Sequence, residues 1–236
     1  MGSRREGSID ASMKDLLRRI LRAWPLNPMQ CVLRKLRRRD IKLKDLDVLE
    51  VFGGSGEFHT RIYAPKVATL EVWEVDPNHE MILKKHFPNA EVKITDSFKE
   101  ITTTQRTYDL VVIDNPMSTY GQYCEHFDLF PNVFRVARRT AILVLNVIPE
   151  IDAAALKKYP YLFNAEQLAR RKTFYSTDTP EKILLRKMLE TYKQMAEESG
   201  FIFQWCFFQR RSFVYYLVLR IKKSGRQPSH KSVEQE

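Results

Sequence analysis

Cysteine, glycine and long apolar runs are scarce in this chain of 236 residues, and each scarcity excludes something. The three cysteines, Cys31, Cys124 and Cys206, have neither metal-ligand nor CxxC spacing. They exclude a disulfide scaffold, fit a reducing compartment and place the protein in the cytoplasm. No cluster of ligating side chains supports a metal. The longest apolar run, Ala141 to Ile148 with Asn146 inside it, is far short of a membrane span, so no membrane partner is expected. The basic, polar N-terminus has no apolar core of a signal peptide. Eight glycines and eleven prolines exclude a collagen-like chain, and 44% apolar residues exclude a disordered one. A chain of this length buries about 70–75% of its unfolded surface and needs no staples.

Positive charge is present in excess, but unevenly. Residues 1–45 hold 13 Lys/Arg against 5 Asp/Glu, residues 46–206 hold 19 against 22, and residues 207–236 hold 7 against 2. A mildly acidic middle between basic ends raises the expectation of a polyanionic partner such as nucleic acid. Solvated helix faces and a frayed tail give the same pattern.

Organisation follows the charge. Residues 1–12 read as a disordered leader. Residues 13–45 read as a basic helical extension, with Leu16, Leu17, Ile20 and Leu21 on one stripe and Met29, Val32, Leu33 and Leu36 on the next. Between residues 46 and 221, apolar runs at 48–52, 67–75, 91–95, 108–113 and 140–148 alternate with helix-sized stretches at 56–64, 78–87 and 131–138. Near-continuous apolar strands separated by helices imply right-handed crossovers and a parallel sheet covered on both faces. A helix is expected from Thr179-Pro180-Glu181 to Gly200, then an aromatic hairpin over 201–208 and 212–221. The expectation is an α/β, doubly wound, mostly parallel seven-stranded sheet with an antiparallel C-terminal strand and extra N-terminal helices. Residues 150–179, rich in aromatic and basic side chains, read as a cap on the substrate side. Residues 222–236 read as a loose basic tail.

The first run ends in Gly53-Gly54-Ser55-Gly56, a turn where glycine lets backbone approach a ligand. Doubly wound sheets bind ligands beyond the carboxyl ends of their strands. A dinucleotide fingerprint requires a third glycine, and His59 occupies that place. No GKS or GKT follows, which excludes a P-loop. A ligand without a pyrophosphate, such as S-adenosylmethionine, fits better. The second strand ends in Val75-Asp76-Pro77, 22 residues after Gly54, at the spacing of a ribose-binding carboxylate. Thr95-Asp96-Ser97 and Asp114-Asn115-Pro116 end the third and fourth strands.

With these motifs the chain resembles the class I S-adenosylmethionine-dependent methyltransferases over about residues 46–221. VLEVFGGSG resembles that family's first motif, with Phe52 where many members have glycine; WEVDPNHEMI, ITDS and LVVIDNP resemble the second, third and fourth. The resemblance implies an enzyme that binds S-adenosylmethionine and releases S-adenosylhomocysteine. It implies that Glu50 helps hold the methionine amino end and that Phe52, Gly53, Gly54 and Gly56 border the cofactor. Asp76 would grip the ribose, Asp96 and Ser97 would lie near the adenine, and Pro77 and Asp114 would also bind the cofactor. Asn115 and Pro116 resemble the start of an Asp/Asn-Pro-Pro-aromatic motif, from which Met117 and Ser118 depart. Catalytic candidates are Asn115, Tyr120 and His126, and His59 is a further possible base.

The acceptor divides into a small molecule under a cap and RNA or DNA held by the basic helices. The placement of 150–179 favours the small molecule, and no RRM, KH or OB signature is present. A non-catalytic cofactor-binding subunit on the same fold is the alternative of another class. Oligomeric state and reacting atom are not legible.

Overall fold

The computed structural model describes residues 27–57, 59–114, 126–150, 153–158, 164–211 and 213–225. Seven strands form one sheet in the order β3-β2-β1-β4-β5-β7-β6. They are β1 (Asp47–Glu50), β2 (Thr69–Glu74), β3 (Glu91–Ile94), β4 (Tyr108–Ile113), β5 (Ala137–Val147), β6 (Phe201–Arg211) and β7 (Val214–Lys223). β1 to β5 are mutually parallel, and β7 enters antiparallel between β5 and β6. This is the architecture the alternation of apolar runs predicts.

Eight α-helices accompany the strands among the described residues: α1 (Pro28–Arg37), α2 (Thr60–Tyr63), α3 (Glu80–His86), α4 (Ser97–Thr103), α5 (Val133–Val136), α6 (Ala153–Lys158), α7 (Ala165–Tyr175) and α8 (Leu185–Glu198). None is long and apolar enough to cross a membrane. Successive side chains of a strand point to opposite faces, so β1 sends Leu49 to one core and Val48 to the other. The first core packs α4, α5, α7 and α8 on the sheet through Ile101, Val133, Tyr175, Met188 and Tyr192. The second packs α1 to α3 through Leu33, Leu36, Ile62 and Leu83.

Three boundaries differ from those read in the sequence. The stretch 131–138 is helical only to Val136, because Ala137 already pairs with Tyr108. The helix expected from Thr179 begins at Leu185. Upstream, the Ile183 amide donates to the Pro149 carbonyl and Lys182 bridges Glu150, which holds that chain extended. The segment 150–179, read as weakly periodic, contains α6 and α7. Helix α7 is capped by the Asn164 side chain, which accepts from the Gln167 amide.

Helix α1 belongs to the packed body. Asn27 and Gln30 form a capping box with Pro28 between them, and Met29, Val32, Leu33 and Leu36 are buried in the second core. The apolar stripe read at 16–21 lies outside the described residues.

Candidate functional site

The candidate site is the row of turns at the carboxyl ends of β1, β2, β3 and β4. β1 ends in Glu50, whose side chain is buried. Its Oε2 has no hydrogen-bond partner among the described residues. Burial drives its pKa up to about 8, a rise reinforced by the nearby Asp114 and Glu74 carboxylates and opposed by the Tyr63 and Thr60 hydroxyls.

The glycine turn follows. The Gly53 amide donates to the Trp73 carbonyl at 2.9 Å, and a Cβ on Gly53 would stand 2.3 Å from Val72 Cγ1. Gly54 and Gly56 both have left-handed backbone, at φ 51° and 70°. Their surroundings are opposite. A Cβ on Gly56 would strike the Phe87 ring at 2.3 Å, so this glycine lets α3 close on the turn. A Cβ on Gly54 would meet nothing within 4 Å, so this glycine faces open space.

Glu74, the last residue of β2, braces the turn from below. Its Oε2 accepts from the Gly54 amide at 2.6 Å and its Oε1 from the Asp76 amide at 2.8 Å. One buried carboxylate therefore joins the turns after β1 and β2. Sequence reasoning missed Glu74; its signal is an acidic residue inside the apolar run Val72-Trp73-Glu74-Val75.

The expected ribose carboxylate, Asp76, is half-buried at the next turn. Its Oδ1 accepts from the Asn78 amide at 2.9 Å and the Asn78 side-chain amide at 2.8 Å, capping a short helical turn that begins at exposed Pro77. Asp96 caps α4 by accepting from the Phe98 amide at 3.0 Å. Ser97 is buried and donates to the Val51 carbonyl, pinning α4 to the end of β1. Phe52 is half-buried, its ring 6.1 Å from that of Phe98.

At the end of β4, Asp114 collects a second group of buried polar residues. Its Oδ1 accepts from Asn146 Nδ2 of β5 at 2.5 Å and from Arg211 Nη1 of β6 at 2.9 Å. Its Oδ2 accepts from the Tyr216 hydroxyl of β7 at 2.8 Å and lies 3.6 Å from His59 Nε2. The His59 ring meets Tyr216 edge-on at 5.6 Å, and burial lowers its pKa despite Asp114, so the imidazole is held neutral. Asn146 Oδ1 is buried without a partner among the described residues. Asn146, Arg211 and Tyr216 converge only because β7 reverses beside β5, a pairing that residue spacing does not reveal.

Of the catalytic candidates, only His126 lies among the described residues. Asn115 and Tyr120 lie outside the described residues. His126 is fully buried in an aromatic cluster with Phe127, Phe130 and Phe174, and its Nε2 is hydrogen-bonded to the Tyr192 hydroxyl. Burial pushes its pKa down to about 3. Among the described residues no group of His, Cys, Asp and Glu is arranged to hold a metal.

No family model matches this sequence, and no curated protein matches it. Solved structures do resemble the fold. The magnesium protoporphyrin IX methyltransferase ChlM of Synechocystis PCC 6803, solved with bound SAH, superposes with a TM-score of 0.52 at 14% identity, over 93% of this chain and 90% of that one. Trm1 of Pyrococcus horikoshii, solved in complex with S-adenosyl-L-methionine, superposes with a TM-score of 0.55 at 11% identity, over 85% of this chain and 57% of that one. The fold is therefore that of the class I S-adenosylmethionine-dependent methyltransferases.

Proposed function

We propose that the protein is an S-adenosylmethionine-dependent methyltransferase acting on a small-molecule acceptor. The observation that carries the cofactor is the pairing of open space above Gly54 with the unpartnered Oε2 of buried Glu50 at the adjacent strand end. A buried carboxylate oxygen without a donor is costly, and an ammonium group supplies the donor and the charge it lacks. The methionine amino group would lie there, the Gly54 backbone would border the ligand, and the second oxygen of Asp76 would take a ribose hydroxyl. Pro77, Asp96, Ser97 and Asp114 line the same row of turns.

When bound, this cofactor supplies a methyl group on a sulfonium, which an acceptor lone pair takes as the carbon–sulfur electron pair returns to sulfur. The protein's task is to align the acceptor and exclude water. Neutral His59, backed by Asp114 and Tyr216, is placed to receive a proton from a protonated nucleophile. Asn146 Oδ1 is placed to accept a hydrogen bond from a polar acceptor. His126, enclosed by aromatic rings, serves the core.

Charge supports a small acceptor. Glu74, Asp76, Asp96 and Asp114 end or follow β2 to β4, and the Arg211 charge is engaged by Asp114. Such a rim attracts a sulfonium and repels a polyanion at the point of transfer.

Calorimetry with S-adenosylmethionine and with NAD, followed by transfer of labelled methyl groups to pooled small molecules and to RNA, tests the reading. Binding of the sulfonium ligand and labelling of a small molecule is expected. Binding of NAD alone would overturn the cofactor; tight binding without transfer would indicate a non-catalytic subunit; labelling of RNA alone would overturn the acceptor.

A further inference from the structure

At the opposite end of the sheet, where β1 and β2 begin, lies an open cavity of about 620 Å³. Arg37 from the last turn of α1, Lys42 and Lys44 from the link to β1, and Lys66 before β2 line it, with Asp40 as the acidic lining residue. None of these four cations forms an ion pair with a carboxylate among the described residues. Two other cations at the same end are neutralised, Arg106 by Glu71 and Glu91 and Arg138 by Asp47 and Asp109. The pKa of Lys66 is lowered by burial and by the Arg37 charge. Converging cations repel one another, and an anion among them removes that cost.

A second feature begins one residue before Asp40 in the chain. Arg39, next to Asp40 in the chain, lies exposed over Trp205 and Phe207 of edge strand β6, with its guanidinium 5.2 Å and 4.7 Å from the two ring centroids. Those rings stack on each other at 6.0 Å and 17°. Arg39 thus presents a planar cation backed by aromatic rings, a surface on which a nucleobase stacks.

The geometry points to a binding site for single-stranded nucleic acid, with consecutive phosphodiesters in the Arg37–Lys42–Lys44–Lys66 groove and a base against Arg39. Four cations without a carboxylate partner among the described residues exceed what one phosphate monoester neutralises, and a concave groove together with a stacking plane suits a strand better than a flat membrane. The site lies at the far end of the sheet from Gly54. It stands whether or not the protein transfers methyl groups, and it would anchor the protein to nucleic acid rather than present a base to the transfer site.

Fluorescence anisotropy of the full chain, without S-adenosylmethionine, with fluorescein-labelled 12-mers of oligo(U) and oligo(dT) tests it. One variant carries Arg37→Gln, Lys42→Gln, Lys44→Gln and Lys66→Gln; a charge-matched control carries Lys84→Gln, Lys85→Gln, Lys172→Gln and Lys182→Gln. The groove variant is expected to bind at least tenfold more weakly and the control within twofold of the parent. The slope of log affinity against log salt should flatten by roughly 0.7 for each phosphate contact removed. Arg39→Lys keeps the charge and loses the plane; it should weaken binding several-fold without changing that slope. Tighter oligo(U) than oligo(dT) binding assigns RNA, and the reverse assigns DNA. Equal losses in the groove and control variants, tighter binding of a 12-bp duplex, or stronger retention on phosphatidylserine vesicles than on either oligonucleotide would overturn it. Unchanged melting temperatures show that each variant is folded.

Discussion

Two glycines separated by a single serine do different work, and their substitutions should separate binding from folding. Gly54→Val introduces a side chain into open space, at the cost of a left-handed backbone, on the order of 1–2 kcal/mol. S-adenosylmethionine binding is expected to disappear while the melting temperature falls by only a few degrees. Gly56→Val drives its Cβ into Phe87 and Leu83 and should unfold the protein at a far lower temperature. Melting curves and calorimetry on the two variants check this, and equal instability would show that the Gly54 turn is purely structural. Asp76→Ala removes both the cap on Asn78 and the proposed ribose contact. Binding should weaken by about 1–3 kcal/mol, and Asn78→Ala, which deletes only the side-chain partner, should leave it within about 0.5 kcal/mol.

Glu50 gives the residue scale a pH signature. Its folded-state pKa, about 8, is above the ordinary glutamate value of 4.5. The folded state therefore binds more protons than the unfolded state between those values, and stability falls as pH rises through that window. Glu50→Gln should flatten the decline and be more stable than the parent at pH 8 by at least about 1 kcal/mol, as urea melts at pH 5 and 8 would show. An ammonium group settling against Glu50 favours the charged carboxylate, so cofactor binding near pH 7 should release a proton. Binding enthalpies in buffers of different ionisation heat read that release, which Glu50→Gln should abolish. A parallel decline in parent and variant would remove Glu50 from the account.

At the scale of elements, two buried charged residues act as clasps. Glu74 joins the turns after β1 and β2, and Arg171 of α7 donates from Nε to the Pro180 carbonyl at 2.7 Å and from Nη2 to the Ile148 carbonyl at 2.9 Å. Arg171→Met leaves two buried carbonyls without those donors and should cost about 2–4 kcal/mol, with little change in cofactor affinity. Glu74→Ala should cost a similar amount and also weaken S-adenosylmethionine binding, because the Gly54 amide loses its anchor. Urea midpoints and calorimetry would separate the two; unchanged affinity in Glu74→Ala would show that the turn holds its shape unaided. Neither clasp was legible in the sequence, since each depends on which loop a buried charge reaches. The strands were legible, because β2, β4 and β5 are buried on both faces and their composition is correspondingly apolar. Helix α7 was obscured by polar residues that break the 3.6-residue period; it is fixed by its cap, by Arg171 and by the aromatic pair Phe174 and Tyr175 at its end. The motif turns identified the row of strand ends, while Asn146, Arg211 and Tyr216 of the candidate site became visible only through the reversal at β7.

For the whole molecule, the decisive relation is between the N-terminal helix and the sheet. Charge alone separates residues 13–45 from the rest as a basic extension, yet α1 closes the second core. Met29, Val32, Leu33 and Leu36 are buried in the cluster that also holds Val48, Val72, Tyr216 and Val218. Lys35 donates to the Phe208 carbonyl at 3.1 Å, tying the helix to edge strand β6. Each fully buried apolar side chain is worth about 1.5–3 kcal/mol, so the four together match much of the roughly 5–15 kcal/mol that stabilises a domain. A chain beginning at residue 46 should therefore lose cooperative unfolding and expose Val218 and its neighbours, with amide protection falling in β6 and β7 before β1 and β4. Leu36→Ala in the full chain should reproduce part of this, costing about 2–5 kcal/mol. Urea melts followed by hydrogen exchange would test both. A shortened chain that melts cooperatively at the parent's midpoint would show that α1 only covers a sheet able to stand without it, and the groove formed by Arg37 and Lys66 would then be a surface added to the fold rather than one built into its core.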